Sequence, residues 1–231
     1  VLGRRRGLLA ALRADGIPHH VEEDPRRRWP AASLAGLGSF SHVIAGTEAA
    51  VVPAACARVP LAALRFPRAV AQRCHDKLLM KRWLARRGIP MTPFLDGSAD
   101  VPPAAVVEAL GLPVVLKERK RSGGRGLRLL DDLAAVAAAP RRGRILERRV
   151  EAPEASVESF VCAGAIRFVN VTEYLRQGEV NVVPVAIDDA ARAELLDLNR
   201  RVLRALGVVR GMTHLEAFLT PDGPLFGEVA L

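Results

Sequence analysis

The amino-acid sequence predicts an α/β protein whose second half is strand-rich and mostly antiparallel. Three observations carry that prediction. Helical stretches alternate with short apolar runs and stop at Gly or Pro, as at Gly88-Ile89-Pro90 and Gly207. The apolar run Val114–Lys117 leads straight into a glycine-rich loop and returns as Leu127–Leu130. The chain closes on two apolar runs joined by Pro221-Asp222-Gly223-Pro224, where Asp-Gly marks a hairpin turn.

Taken in order, residues 2–15 read as a basic amphipathic helix stopped near Gly16-Ile17-Pro18. Val43–Gly46 reads as a short buried strand, with a helix over about 48–58 after it. The next helix covers 76–87, with Leu78, Leu79, Trp83 and Leu84 on its apolar side. Pro102-Pro103 introduces a helix from about 103 to 110 that Gly111 closes. Strands 114–117 and 127–130 then form a hairpin with a basic, glycine-rich tip. Asp131-Asp132 caps a helix over 132–139, and Arg144–Glu147 is a strand. Ala155–Phe160 and Ala165–Val171 pair as antiparallel strands around Ala163-Gly164. A long helix over 189–206 carries Leu195, Leu196, Leu198, Val202, Leu203 and Leu206. Two strands finish the chain, Thr213–Leu219 and Leu225–Leu231.

A chain of 231 residues, 50% hydrophobic and 26% charged, can bury the core of one or two domains and is not a disordered polymer. Its net charge of +9 comes from 30 Arg and only 4 Lys. The arginines are scattered, with clusters at Arg4–Arg6, Arg26–Arg28 and Arg141–Arg144, and no zinc-finger spacing or basic–aromatic run accompanies them. A nucleic-acid partner is therefore not expected. The lysines are more telling, because an Arg-biased chain keeps them in two places, Lys77 with Lys81 and Lys117 with Lys120. A compact ammonium packs against phosphates differently from a forked guanidinium. Cys56, Cys74 and Cys162 are isolated and odd in number, which predicts neither a disulfide framework nor a metal cluster and suits a reducing cytoplasm. No apolar stretch reaches 18 residues, so a membrane partner is not expected either.

The chemistry concentrates in two segments. In Lys117–Gly126, the residues Ser122-Gly123-Gly124-Arg125-Gly126 leave the backbone N–H groups free to turn around an anion, with Lys117 beside them. The plainer reading is a mobile basic turn, since neither a Walker motif nor a dinucleotide fingerprint is present. In the last hairpin, Glu216 and Glu228 stand at nearly equal distances from a turn at about 222–223 and can face one another across the pair. Opposed carboxylates destabilise a sheet unless a positive charge lies between them, which suits magnesium; solvated glutamates are the alternative. Asn170, Thr172, Glu173 and Tyr174 line either a substrate pocket or a sheet edge. His75 and His214 stand near these segments without an arrangement that makes either a nucleophile's base.

In order, these segments resemble the ATP-grasp superfamily, and most closely its carboxylate–amine (amino-acid) ligase branch. The resemblance runs through Asp76-Lys77, Gly88-Ile89-Pro90 and Gly111-Leu112-Pro113 into Lys117 and the glycine loop. It continues through Leu146-Glu147-Arg148-Arg149-Val150, Pro153-Glu154 and Ser156-Val157-Glu158 to His214-Leu215-Glu216 and Gly227-Glu228-Val229. It implies an α/β ATP-grasp domain over 75–231, with a lid subdomain at about 112–150 and a C-terminal subdomain over 151–231. Residues 1–74 would be a partial, Rossmann-like pre-ATP-grasp domain. By the same resemblance Lys77 and Lys117 contact ATP phosphates under a lid formed by Gly123–Gly126. Glu147 sits at the adenine, Arg149 and Val150 supply hinge contacts, Glu154 takes the ribose, and Glu216 and Glu228 hold Mg2+, with Mn2+ as an alternative.

The implied reaction is ATP-dependent phosphorylation of a small-molecule carboxylate, followed by attack of an amine on the acyl phosphate. Arg210 is a candidate anion contact for that step, with Arg167 and Arg176 beside it as weaker ones. A purine-biosynthesis-like or carboxylase-like member, or a non-catalytic ATP-binding remnant, is the alternative, and a homo-oligomer is left open. Two departures from the family pattern stand out. Ala230 occupies a position that is often Asn, and the sequence stops at Leu231, before the family's Arg and Gly-rich segment; together with a start that lacks Met, this leads us to expect a chain truncated at both ends.

Overall fold

The computed structural model describes residues 6–17, 43, 45, 47–56, 66–121, 123, 126–176, 180–183 and 187–231. The chain divides into two compact units, Val1–His75 with Leu231, and Asp76–Ala230. In the first unit the described helices are α1 (Arg6–Ala14), α2 (Glu48–Cys56) and α3 (Arg68–His75). The small side chains Ala50 and Ala54 of α2 are buried and pack against Val43 and Ala45. Of the strand expected over 43–46, only those last two residues lie among the described ones. Helix α3 escapes a sequence reading because its buried residues, Val70, Ala71 and Cys74, stand among Arg and Gln. Burial pushes the Cys74 thiol up to about 12, leaving it an inert core group.

The second unit opens with α4 (Lys77–Ala85), whose N-cap Asp76 accepts from the Leu78 and Leu79 backbone N–H groups. Its buried stripe is Lys77, Leu78, Met80, Lys81 and Leu84. Leu79, expected on the apolar side, is instead exposed. The cap fixes where the helix begins, and the face that results is shared by two lysines whose charges hid it from a hydrophobic pattern.

A four-stranded antiparallel sheet follows, in the order β1-β4-β2-β3, built from β1 (Phe94–Asp96), β2 (Val114–Glu118), β3 (Arg128–Leu130) and β4 (Arg144–Arg148). Helix α5 (Pro103–Leu110) begins with Pro at its first position, and α6 (Leu133–Ala138) is capped by Asp132, which accepts from the Ala135 N–H at 2.7 Å. Val106, Leu110, Val114, Leu116, Leu130, Val136 and Leu146 form one buried cluster between these helices and one face of the sheet. The alternation of strands leaves Val115, Lys117 and Glu147 on the other face.

The larger sheet has the order β7-β6-β5-β8-β9 and is also antiparallel throughout. Its strands are β5 (Glu154–Cys162), β6 (Ala165–Arg176), β7 (Val180–Val182), β8 (Gly211–Thr220) and β9 (Gly223–Ala230). Ala163 and Gly164 both take positive φ in the two-residue link from β5 to β6, the conformation that matches the twist of paired strands. Helix α7 (Asp189–Leu206) starts at an Asp188 cap and ends at Gly207 in the left-handed conformation. It packs against β5, β8 and β9. Leu195, Leu198, Val202, Leu203 and Leu206 of the helix are buried, as are Val157, Leu215, Ala217, Phe226 and Val229 of the sheet. Asn199 donates to the Ser159 hydroxyl at 2.9 Å inside that layer. Trp83 of α4 donates to the Ala205 carbonyl at 2.7 Å, tying the first helix of the unit to the last.

Strand β6 runs five residues past the Val171 expected as its end, because Thr172 and Tyr174 face the open side and carry no apolar signal. Strands β1 and β7 were not expected, being too short for any period to register. A core test follows. Leu116→Ala should lower stability by about 2–5 kcal/mol, read as a lower urea midpoint with an unchanged slope.

Candidate active site

With α7 covering one face of the five-stranded sheet, its other face is open, and the register writes that face out in rows. Glu154 of β5 lies between Tyr174 and Phe218, Ser156 between Thr172 and Glu216, and Glu158 between Asn170 and His214. Glu216 in turn is paired directly with Glu228 of β9. The closing turn sits one residue earlier than expected, since Thr220 pairs with Gly223 and the loop residues are Pro221-Asp222. Counted from that turn, Glu216 should meet Gly227. A bulge between Glu216 and Ala217 absorbs the difference, so that Ala217 pairs with Phe226 and Glu216 with Glu228. Without it Glu228 would point into the core. Gly227 permits the bulge: a Cβ there would stand 3.1 Å from the Glu216 carbonyl oxygen.

The lysines approach these carboxylates. Lys77 Nζ lies 2.9 Å from Glu228 Oε2 and donates to the Arg121 carbonyl, also at 2.9 Å. Lys117 Nζ is 2.9 Å from Glu147 Oε2, and Lys81 Nζ is 2.9 Å from Glu147 Oε1. Lys81 also donates to the Thr92 hydroxyl. Each oxygen of the buried Glu147 thus takes one lysine. Asp76 receives a two-pronged contact from Arg119, at 3.0 and 2.7 Å, and the Lys77 N–H donates to the Arg119 carbonyl. The segment leading into the glycine loop is therefore fastened to the start of α4.

Residues 82–231 match the family model for the ATP-grasp domain. The chain belongs to the ATP-grasp family. It is 28% identical over 218 residues to an L-arginine-specific L-amino acid ligase of Bacillus subtilis, covering 84% of this chain and 52% of that one. It is 30% identical over 183 residues to a D-alanine–D-alanine ligase of Mycolicibacterium smegmatis, covering 67% and 48%. The chain spans about half the length of the curated relatives it matches. Among solved structures its fold resembles an L-amino acid ligase from Bacillus licheniformis, with a TM-score of 0.69 at 20% identity over 86% of this chain and 50% of that one. It also resembles a carboxyaminoimidazole ribonucleotide synthase from Aspergillus clavatus complexed with ATP, with a TM-score of 0.78 at 20% identity over 97% and 66%. Among the described residues no helix is long and apolar enough to cross a membrane.

On this ATP-grasp frame the electrostatics are sharply divided. Burial disfavours the Glu147 carboxylate, but Lys81 and Lys117 outweigh it and hold its pKa down to about 2. Burial pulls the Lys81 ammonium below its usual range, with Glu147 opposing. For Lys117 burial is again the largest influence, yet Glu147, aided by Glu228 and Glu216, leaves it raised. Glu158 has a similar origin: burial acts against it, and hydrogen bonds from His214, Ser156, Thr172 and Asn170 bring it to about 2. His214 bridges two carboxylates, with Nδ1 2.9 Å from Glu158 and Nε2 3.3 Å from Glu216, and is raised to about 10 by those bonds. Its ring is an imidazolium at neutral pH, and the Tyr174 hydroxyl lies 3.0 Å from Nε2. Glu154 goes the other way. Burial first, then Glu216 and Glu228, lift it to about 7, with Lys117 and His214 opposing.

Lys77, Lys117, Glu147, Glu154, Glu216 and Glu228 thus belong to one ion network of the second unit. Arg149 and Val150 lie on the connection after β4, where Arg149 pairs with the exposed Glu151 at 3.3 Å. Arg210 precedes β8 without a described contact to the network. Gly123 and Gly126 have positive φ, whereas Ser122, Gly124 and Arg125 lie outside the described residues. Sequence reasoning singled out Lys81 and quoted Ser156 without giving either a role, and it passed over Thr92 and the bridging role of His214. Lys81 had a usable signal, standing one helical turn from Lys77 in a chain with four lysines. His214 had one too, at same-face spacing from Glu216.

No group of three His, Cys, Asp or Glu among the described residues is arranged to hold a metal alone. Glu216 and Glu228 are oxygen donors suited to Mg2+ or Mn2+, and the opposed pair fits an ion that draws its other ligands from phosphate and water. The depressed Glu147 sets a test. Its stabilising contribution is complete above its ordinary pKa of 4.5 and is lost as pH falls towards about 2. Glu147→Gln leaves the buried Lys81 ammonium and the half-buried Lys117 ammonium without their shared counter-ion and should cost about 3–5 kcal/mol at neutral pH. Urea unfolding of the two proteins at a series of pH values should show that gap closing as the medium becomes acid.

Proposed function

We propose that this protein is an ATP-dependent carboxylate–amine ligase that uses Mg2+ or Mn2+. The observation that carries the reading is the directly opposed Glu216–Glu228 pair beside Lys77, on the same unit as Lys117 and the glycine loop. Carboxylates kept together against their repulsion need a cation between them, and lysines clustered there need anions; a metal–triphosphate complex supplies both. The amino-acid ligases among the relatives support the same class.

In this reading Lys77 and Lys117 bind the phosphates, and the loop from Ser122 to Gly126 covers them. The connection through Arg149 and Val150 holds the adenine, with Glu147 fixing Lys117 beneath it and Glu154 taking the ribose. Glu216 and Glu228 hold the metal, which when bound neutralises charge developing on the transferred phosphoryl group. A substrate carboxylate oxygen attacks the γ-phosphorus and ADP leaves. An amine then attacks the acyl carbon, phosphate leaves, and the amide remains. The carboxylate and the amine are small molecules, and Arg210 contacts the anionic intermediate. Residues 1–74 belong to a pre-ATP-grasp domain, and the protein works in the cytoplasm, where its free cysteines stay reduced.

Calorimetry should show Mg2+-dependent ATP binding. Lys117→Ala should weaken it by about 10–100-fold, the range of a lost charge-assisted contact. Absence of ATP binding by the folded wild-type chain would sink the reading. Phosphate release measured against amino acids, singly and in pairs, should be stimulated by particular combinations. ATP binding with no stimulation by any pair would leave a nucleotide-binding protein in place of a ligase.

A further inference from the structure

Lys77 is an odd choice for the position it holds. It is the first residue of α4, at the positive end of the helix dipole, where a cation is unfavourable. It is also buried, and its ammonium has two oxygen partners, Glu228 Oε2 and the Arg121 carbonyl. Across the carboxylate pair, Glu216 has the His214 ring 3.3 Å away. Glu228, the partner carboxylate, thus already has a protein cation at its side before any metal arrives.

We propose that Lys77 is a specificity-determining residue that makes this site accept a divalent cation as its nucleotide complex and reject the free ion. The inference rests on the ATP-dependent reading above. A free cation taking Glu228 must displace the ammonium, leaving it buried at a helix N-terminus, near a dication, with a backbone carbonyl as its remaining partner. Such an unpaired buried charge is heavily penalised. A metal–nucleotide complex brings its own anions. The phosphate oxygens take Lys77 while the metal takes Glu228, so the ion pairs are exchanged and no charge is stranded. No covalent bond changes in this exchange. The same lysine that binds phosphate therefore stands guard over the metal ligand until phosphate is present.

Manganese uptake by the full chain, followed by the paramagnetic resonance signal of free Mn2+, tests this without turnover. Wild-type protein should take up Mn2+ poorly alone and well with ADP. Lys77→Met should bind Mn2+ without nucleotide at least about tenfold more tightly than wild type, and ADP should enhance that binding less. Adding Glu228→Gln should abolish the gain, which locates the ion. Lys77→Gln, which removes the charge and keeps a donor for the Arg121 carbonyl, should behave like Lys77→Met and serves if the methionine variant does not fold. Metal binding by the charge-removed variant no tighter than wild type, with the wild type binding Mn2+–ADP, overturns the inference. A wild-type protein that takes up no Mn2+ even with ADP overturns the ATP-dependent reading beneath it.

Discussion

The buried Glu147 carboxylate is the tie on which the arrangement of the second unit depends. It stands on β4, and each of its oxygens holds a lysine from a different element, Lys81 from α4 and Lys117 from β2. A carboxylate this deep is tolerated only with both partners in place, since the desolvation of three charges must be offset by close contact. Hydrophobic packing of comparable volume could hold these elements together as well. It could not also leave an ammonium on the face of the small sheet opposite its apolar cluster, which is what a phosphate site requires. The stability of the unit and the charge of the site therefore come from the same three side chains.

The larger sheet solves a related problem by geometry. Its open face carries Glu154, Glu158, Glu216 and Glu228, a density of like charge that would loosen a plain sheet. Their environments separate them. Glu158 is saturated by four donors and serves as a fixed anion that orients His214. Glu154 lacks such donors and is driven towards its neutral form. Glu216 and Glu228 each have one basic side chain at hand, His214 at 3.3 Å and Lys77 at 2.9 Å, so that an incoming ion has few contacts to displace.

Much of this was legible from the residues, because the elements announce themselves through strong local signals. The helices over 103–110 and 189–206 and the strand into the glycine loop follow from caps, periodicity and punctuation. The facing of Glu216 and Glu228 was also expected, though for an incomplete reason. Equal spacing from the turn does not produce it; the bulge at Gly227 does, and a single glycine in a strand gives no sequence signal that separates a bulge from a weak spot. Lys81 stood out as one of four lysines, but its role was hidden for a different reason. A lysine on an otherwise apolar helix face reads as a snorkelling side chain unless its counter-ion, 66 positions away at Glu147, is known to lie above it. The role of Ser156 was hidden, and Thr172 was left open between a pocket and a sheet edge, because hydroxyls that saturate a carboxylate look like ordinary strand polarity.

The scarcity of lysine has a practical side. The chain has four side-chain amines, and three of them, Lys77, Lys81 and Lys117, are drawn into one ion network while Lys120 stands exposed near the start of the glycine loop. An acylating reagent meets an almost amine-free surface everywhere else. Mass change at lysine then becomes a local gauge, with Lys120 reporting on access to the segment before the loop and the other three on the state of their ion pairs.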